Sequence, residues 1–169
     1  MLKLVIDSEV NEDVRVLSAR ALRRFEQLEK AALAWLVLAQ DKEIDQRYRC
    51  LAIEELGELE ETNRLLTLAL DEGIDEWVRV EAAEALDRSG SKNEAAQAWL
   101  DLPSYGEVDE WKYVEAAEEL DDVESLLVLV FDNEIDPLVR FRAAEALNEH
   151  GWTEEIIQRV LLWGHLNSI

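Results

Sequence analysis

The chain has 169 residues, enough for one domain or a short array of repeated units, and carries a formal net charge of −22. Such acidity repels a phosphate backbone and an anionic leaflet, which disfavours generic nucleic-acid or membrane-surface binding; its plainest use is solubility. Six glycines and two prolines among abundant apolar residues suit packed helices and not a turn-rich β protein, and a single cysteine, Cys50, can make neither an intrachain disulfide nor a thiolate metal site.

Taken in chain order, residues 2–6 read as the tail of a helix, and the ten-residue frame at 2–11 then returns at 36–45, 66–75, 100–109 and 127–136. Leu36, Leu38, Asp41, Ile44 and Asp45 align with Leu66, Leu68, Asp71, Ile74 and Asp75, and with Leu127, Leu129, Asp132, Ile135 and Asp136. Each frame ends on an anchor (Asn11, Asp45, Asp75, Asp109, Asp136), and the anchors lie 34, 30, 34 and 27 residues apart. An Asp or Asn there can accept from the free amides of a first helical turn, so each anchor is predicted to be an N-cap. Pro137, directly after Asp136, is the favoured first helical residue.

After the anchor a first helix is expected, with apolar or small residues at +3, +7, +8 and +11. In the third unit these are Val78, Ala82, Ala83 and Leu86; Leu22, Leu56, Leu120 and Leu147 take the last of these positions elsewhere. The small pairs Ala82 and Ala83, Ala116 and Ala117, and Ala143 and Ala144 permit close approach of helices. Gly57, Gly90 and Gly151 suit a left-handed C-cap. A second helix follows, apolar on much of its circumference, at 31–39, 63–70, 95–102 and 124–131, and a final apolar segment contains Ile156, Ile157, Val160, Leu161, Leu162 and Trp163. The unequal anchor spacings are expected to lengthen or shorten a helix by about one turn of 3.6 residues. Pro103 should end its helix early, and with Lys112 and Tyr113 replacing the Val and Arg of the other units, a change of curvature is expected around residues 100–125.

This run of anchor, Val, Arg, paired Ala and Leu, carried by Asp75, Val78, Arg79, Ala82, Ala83, Ala85 and Leu86 and again by Asp136, Val139, Arg140, Ala143, Ala144, Ala146 and Leu147, resembles the bacterial HEAT repeat. Its wording is similar to the repeat tails of NACHT-type signalling ATPases. The resemblance implies an all-α fold, a right-handed α-solenoid of about five HEAT-like two-helix repeats. One repeat domain would span 1–169, with a partial unit at 1–10 and repeats at 11–44, 45–74, 75–108, 109–135 and 136–169. It implies a non-catalytic protein-binding scaffold or sensor module, part of a larger protein or complex. The alternatives are a bilin-lyase-type HEAT-like protein or an acidic inhibitor that mimics a nucleic acid. Phycobilin lyases use similar repeats, but here the cysteine holds a core position; HEAT-like DNA glycosylases have a basic concave face, and this chain is acidic.

Several features could carry function. Arg15, Arg49, Arg79 and Arg140 recur four residues after the anchor, where they suit a charge ladder between repeats, or else an anion-binding row. Asp7, Asp41, Asp71 and Asp132 recur four residues before it, near a helix C-terminus whose dipole opposes a carboxylate; they need loop amides, the recurring arginines, or a basic partner. Trp35 and Trp99 share a register and read as core. Trp77, Trp111 and Leu138 share another, off the apolar stripe, and would make an apolar row at one edge of the array. The candidate partner-binding residues are therefore Trp77, Trp111, Leu138, Asp41, Asp71 and Asp132. No catalytic, cofactor-binding or metal-ligating set is expected, since His150, His165 and Cys50 are isolated and no Gly-rich phosphate loop occurs. The expected partner is another protein, with a basic one suited to the charge and self-association through a C-terminal helix at 155–163 as a second mode. Neither nucleic acid nor membrane is an expected partner. A lone cysteine and the absence of a signal-peptide core lead to an expected cytoplasmic location. Both ends look cut or covered, which leads to the expectation of a segment of a longer array or of ends paired with another molecule.

Overall fold

The computed structural model describes residues 1–102, 110–132, 134–149 and 151. They divide into two compact units, Met1–Leu102 and Pro103–Ile169. Among the described residues all regular structure is α-helical.

The first unit holds α1 (Leu2–Ile6), α2 (Glu12–Arg24), α3 (Leu28–Gln40), α4 (Gln46–Glu58), α5 (Thr62–Leu70), α6 (Glu76–Ser89) and α7 (Lys92–Asp101). Each packs on its neighbours in the chain. In addition α1 meets α3, α4 meets α6 and α5 meets α7. The largest buried side chains include Leu22, Trp35, Leu38, Ile53, Leu56, Leu65, Leu68 and Leu86. The alanines at the paired positions, such as Ala82 and Ala83, are fully buried, and only side chains that small let neighbouring backbones come so near. The second unit holds α8 (Glu110–Glu119), α9 (Val123–Phe131) and α10 (Pro137–Glu149), each in contact with the other two.

Helix starts follow the anchors. Asn11, Asp45 and Asp136 accept from the backbone amides of Asp13 (3.0 Å), Arg47 (2.9 Å) and Leu138 (2.7 Å). Asp75 holds the N-cap position of α6 but makes no side-chain cap bond; its carboxylate turns instead to Arg49 and Lys42, at 2.8 and 3.4 Å. A full positive charge outcompetes a backbone amide for it.

The ends of the first helices share one geometry. The amide of Gly90 bonds the Asp87 carbonyl (3.0 Å) and that of Ser91 bonds Leu86 (3.1 Å), the crossed pair of a Schellman motif. Glu26 with Gln27, Glu60 with Glu61, and Asp121 with Asp122 make the same pair. The left-handed residue is Gly90 or Gly151, as expected, but elsewhere it is Glu26, Glu60 and Asp121, all with φ between 52° and 57°. Gly57 is not a C-cap: it lies inside α4, and a Cβ added there would stand 3.9 Å from Ala85 Cβ, so it serves the approach of α4 to α6.

The left-handed residue falls 15 positions after the anchor in four units and 12 after it in the fourth, where α8 is shortened. The carbonyl that closes the motif there belongs to Ala117, not to the Leu of the other units. Leu120, aligned with buried Leu22, Leu56, Leu86 and Leu147, is consequently exposed beyond the helix end. The 34-to-30 change in spacing is taken up by the second helix, 13 residues in α3 and 9 in α5, close to one turn. In the next unit α7 ends at Asp101 and Leu102 is extended, the backbone favoured before a proline. The curvature change expected at 100–125 falls in part on 103–109, outside the described residues.

Candidate interaction site

The recurring arginines repeat one bonding pattern among the described residues. Arg15, Arg49, Arg79 and Arg140 each donate from Nε to the carbonyl ten residues earlier, in the last turn of the preceding helix: Val5 (2.7 Å), Ala39 (3.0 Å), Ala69 (2.7 Å) and Val130 (3.1 Å). Those carbonyls lie in a turn where helical acceptors lack partners, so the guanidinium satisfies a group that burial would otherwise orphan.

The other end of each guanidinium in the first unit reaches forward. Arg15 bonds Asp41 at 2.8 Å, Arg49 bonds Asp75 at 2.8 Å, and Arg79 bonds both the carboxylate and the carbonyl of Asp101 at 3.0 Å. Arg15, Arg49 and Arg79 are themselves buried. A charge ladder between repeats was one expectation: the Arg49 carboxylate partner is the anchor of the following unit, whereas Asp41 and Asp101 lie at the end of the second helix of the arginine's own unit. Arg49 and Lys42 together hold the Asp75 carboxyl below its ordinary value, the Arg49 bond being the larger cause. In the fourth unit the arginine position is held by Tyr113, which is buried.

The recurring aspartates serve the loops. Asp7, Asp41, Asp71 and Asp132 cap the helices before them in position and accept from the amides two residues on, Glu9 (3.0 Å), Glu43 (3.0 Å), Gly73 (2.9 Å) and Glu134 (2.9 Å). Asp41 adds the ion pair to Arg15, whereas Asp71 is exposed. A carboxylate that receives an amide and a guanidinium can sit at a helix C-terminus despite the dipole.

Of the proposed apolar row, Trp77 belongs to the first unit and is half-buried, with the Arg49 guanidinium carbon 4.6 Å from its ring centroid. Trp111 and Leu138 belong to the second unit and are both exposed, Leu138 to 67%. Trp35 and Trp99 are core, as their register predicted, but differ in one respect: Trp99 Nε1 donates to Asp87 (3.3 Å), while the buried Trp35 Nε1 has no acceptor. Cys50, expected in the core, is half-buried, and burial pushes its thiol above the ordinary range.

Three features went unread in the sequence. Glu12 and Glu110, each directly after an anchor, accept the backbone amide of the next anchor, Asp45 (3.1 Å) and Asp136 (3.0 Å); the repetition of Glu at that place was the available signal. Arg23 bridges α2 to Glu55 and Glu58 of α4. A shallow groove of about 410 Å³, floored by Gly57 and Ala85 and edged by Glu54, Glu58, Arg88 and Ser89, runs between α4 and α6. Glu81 lies on α6 near Glu54 and Glu84, its carboxyl raised first by burial and then by Glu84.

Among the described residues no cluster of His, Cys, Asp and Glu is placed to hold a metal ion, and no helix is long and apolar enough to cross a membrane. His150, His165 and the segment 155–163 lie outside the described residues. Comparison with protein-family models, with curated proteins and with solved structures finds no match.

Proposed function

We propose that the chain is a HEAT-like right-handed α-solenoid of about five two-helix repeats that acts as a non-catalytic protein-binding scaffold or sensor module. The observation that carries this reading is the arginine row. Arg15, Arg49 and Arg79 are buried and committed to joining one unit to the next, which is how a stacked array uses a residue that recurs with its period. The recurring polar groups thus serve the stack, and what is left to vary is the surface. The exposed Trp111 and Leu138, set in a chain of charge −22, suit a protein partner with apolar anchors and basic surroundings.

Two measurements test this. Small-angle scattering of an array should give a radius of gyration above the roughly 15 Å of a compact globule of this length; a value at that level counts against the stack. Chemical cross-linking of the chain in its host cells should yield a protein partner whose capture falls when Leu138→Asp and Trp111→Ala are introduced. Capture unchanged by both substitutions removes this surface from the reading.

A further inference from the structure

The repeat lets equivalent positions be compared along α2, α4, α6, α8 and α10, the helices that start from an anchor. Between α2 and α4 an arginine crosses: Arg23, twelve residues after its anchor, reaches Glu55 and Glu58 of α4. Between α8 and α10 an arginine comes from the other side. Arg142, six residues after its anchor, takes Glu118, nine after its own, at 2.9 Å. Between α4 and α6 both arginines are missing. The register of Arg23 is held by Gly57, and that of Arg142 by Glu81.

What stands there instead is the groove of about 410 Å³, floored by Gly57 and buried Ala85. The charges around it are mostly committed. Glu55 and Glu58 have Arg23, and Arg88 on the α6 wall bonds Glu84 at 3.2 Å. Glu54, at the register of the paired Glu118, and Glu81 are left over, and neither carboxylate has a hydrogen bond or ion pair among the described residues. Glu54 is exposed on α4 and Glu81 half-buried on α6. Burial and then Glu84 raise the Glu81 carboxyl; Arg88 opposes them and Glu54 adds to them. Both walls lie inside the first unit, with described helices before α4 and after α6, so neither end of the chain creates this opening.

We infer that this groove receives an arginine side chain of a partner protein, its stem over Gly57 and Ala85 and its guanidinium between Glu54 and Glu81. In the neighbouring helix pairs the same registers are served by the chain's own arginines, which gives the chemistry of the missing occupant. Two carboxylates on two helices suit a planar fork with several donors better than the single nitrogen of a lysine. The net charge of −22 draws a basic segment in. The inference rests on the proposed reading only for the protein source of the arginine. The groove includes neither Trp111 nor Leu138, and the test uses a free peptide, so either can fail alone.

Nuclear magnetic resonance titration of the full chain with a blocked peptide of alternating arginine and serine reads the result. It is run in about 0.15 M salt, where exposed charges are screened beyond roughly 8 Å. The expected outcome is saturable shifts centred on the amides of Gly57 and Ala85. The same peptide with citrulline for arginine should leave them unmoved, and with lysine should bind several-fold more weakly. Glu54→Gln combined with Glu81→Gln should weaken binding at least roughly tenfold, whereas Glu9→Gln with Glu43→Gln, which removes the same charge elsewhere, should change it by less than about twofold. Gly57→Arg, which restores an internal arginine, should abolish binding, with circular dichroism confirming that every variant is folded. Absence of saturable binding overturns the inference, as do equal losses in the two double variants. So does undiminished binding by Gly57→Arg, or a lysine peptide held as tightly as the arginine one.

Discussion

The Arg49 guanidinium lies with its carbon 4.6 Å from the centroid of the Trp77 ring, and its Nη2 is buried without a hydrogen-bond partner. The indole face lies beside the guanidinium as a whole, while Nε goes to Ala39 and Nη1 to Asp75. Trp77 therefore serves the packing of α6 against α4 as well as its own surface. A lysine has one nitrogen and cannot divide itself among a carbonyl, a carboxylate and a ring. Arg49→Lys should cost about 2–3 kcal/mol in chemical denaturation. Trp77→Leu, which keeps an apolar contact but removes the ring, should cost about 1 kcal/mol.

The left-handed positions at the helix ends make a second test. Glu60 and Glu26 hold a conformation that costs an L-residue about 1–2 kcal/mol, reduced by the greater chain entropy a glycine would lose. Glu60→Gly and Glu26→Gly should each raise stability by up to about 1 kcal/mol, and Gly90→Ala should lower it by about 1 kcal/mol. A loss of stability in Glu60→Gly, or none in Gly90→Ala, would show that the two ends are not equivalent.

Trp35 and Trp99 occupy the same register with different partners for the indole N–H. Trp99→Phe removes a hydrogen bond to Asp87, whereas Trp35→Phe removes a buried donor that has no acceptor. With similar volume lost, Trp35→Phe should be milder than Trp99→Phe by about 1 kcal/mol in thermal or urea unfolding.

Two carboxylates give opposite responses to acid. Asp75 is held below its ordinary value by Arg49, so its stabilising pair is fully present above the ordinary carboxylate range and is lost as pH falls through the depressed folded value. The stability gap between the parent chain and Asp75→Asn should be constant near neutrality and close in strong acid. Glu118 is raised above its ordinary value, chiefly by burial, against the smaller opposing effect of Arg142. Its ionisation disfavours the fold, and that penalty disappears as pH falls through the raised value. Glu118→Gln should therefore be at least as stable as the parent at neutral pH, with the advantage fading on acidification.

Much of this was legible in the amino-acid order. The period, the anchors as caps, the buried Trp35 and Trp99 and the one-turn change between α3 and α5 all follow from side-chain type and spacing. The left-handed Glu26, Glu60 and Asp121 were not legible, because their side chains carry no mark of the backbone that the closing amide bonds impose. Leu120 misled for a related reason: its alignment was correct in sequence, but α8 closes three residues early and leaves it outside. The arginine row was visible as a recurrence, while its targets were not. A carbonyl ten residues back and a carboxylate 26 residues ahead are neighbours only after the helices have packed. Of the candidate surface, Trp111 and Leu138 are exposed, Trp77 is half-buried against Arg49, and Asp41 is occupied by Arg15.

Each buried arginine of the first unit fastens three elements at one point: the last turn of the preceding helix, its own helix, and the chain at or just after the end of the second helix that follows. No single two-helix unit there can open without breaking bonds that its neighbours also need. Such shared fasteners turn a linear set of modules into one that melts together, since the free energy of a rung is lost by both units it joins.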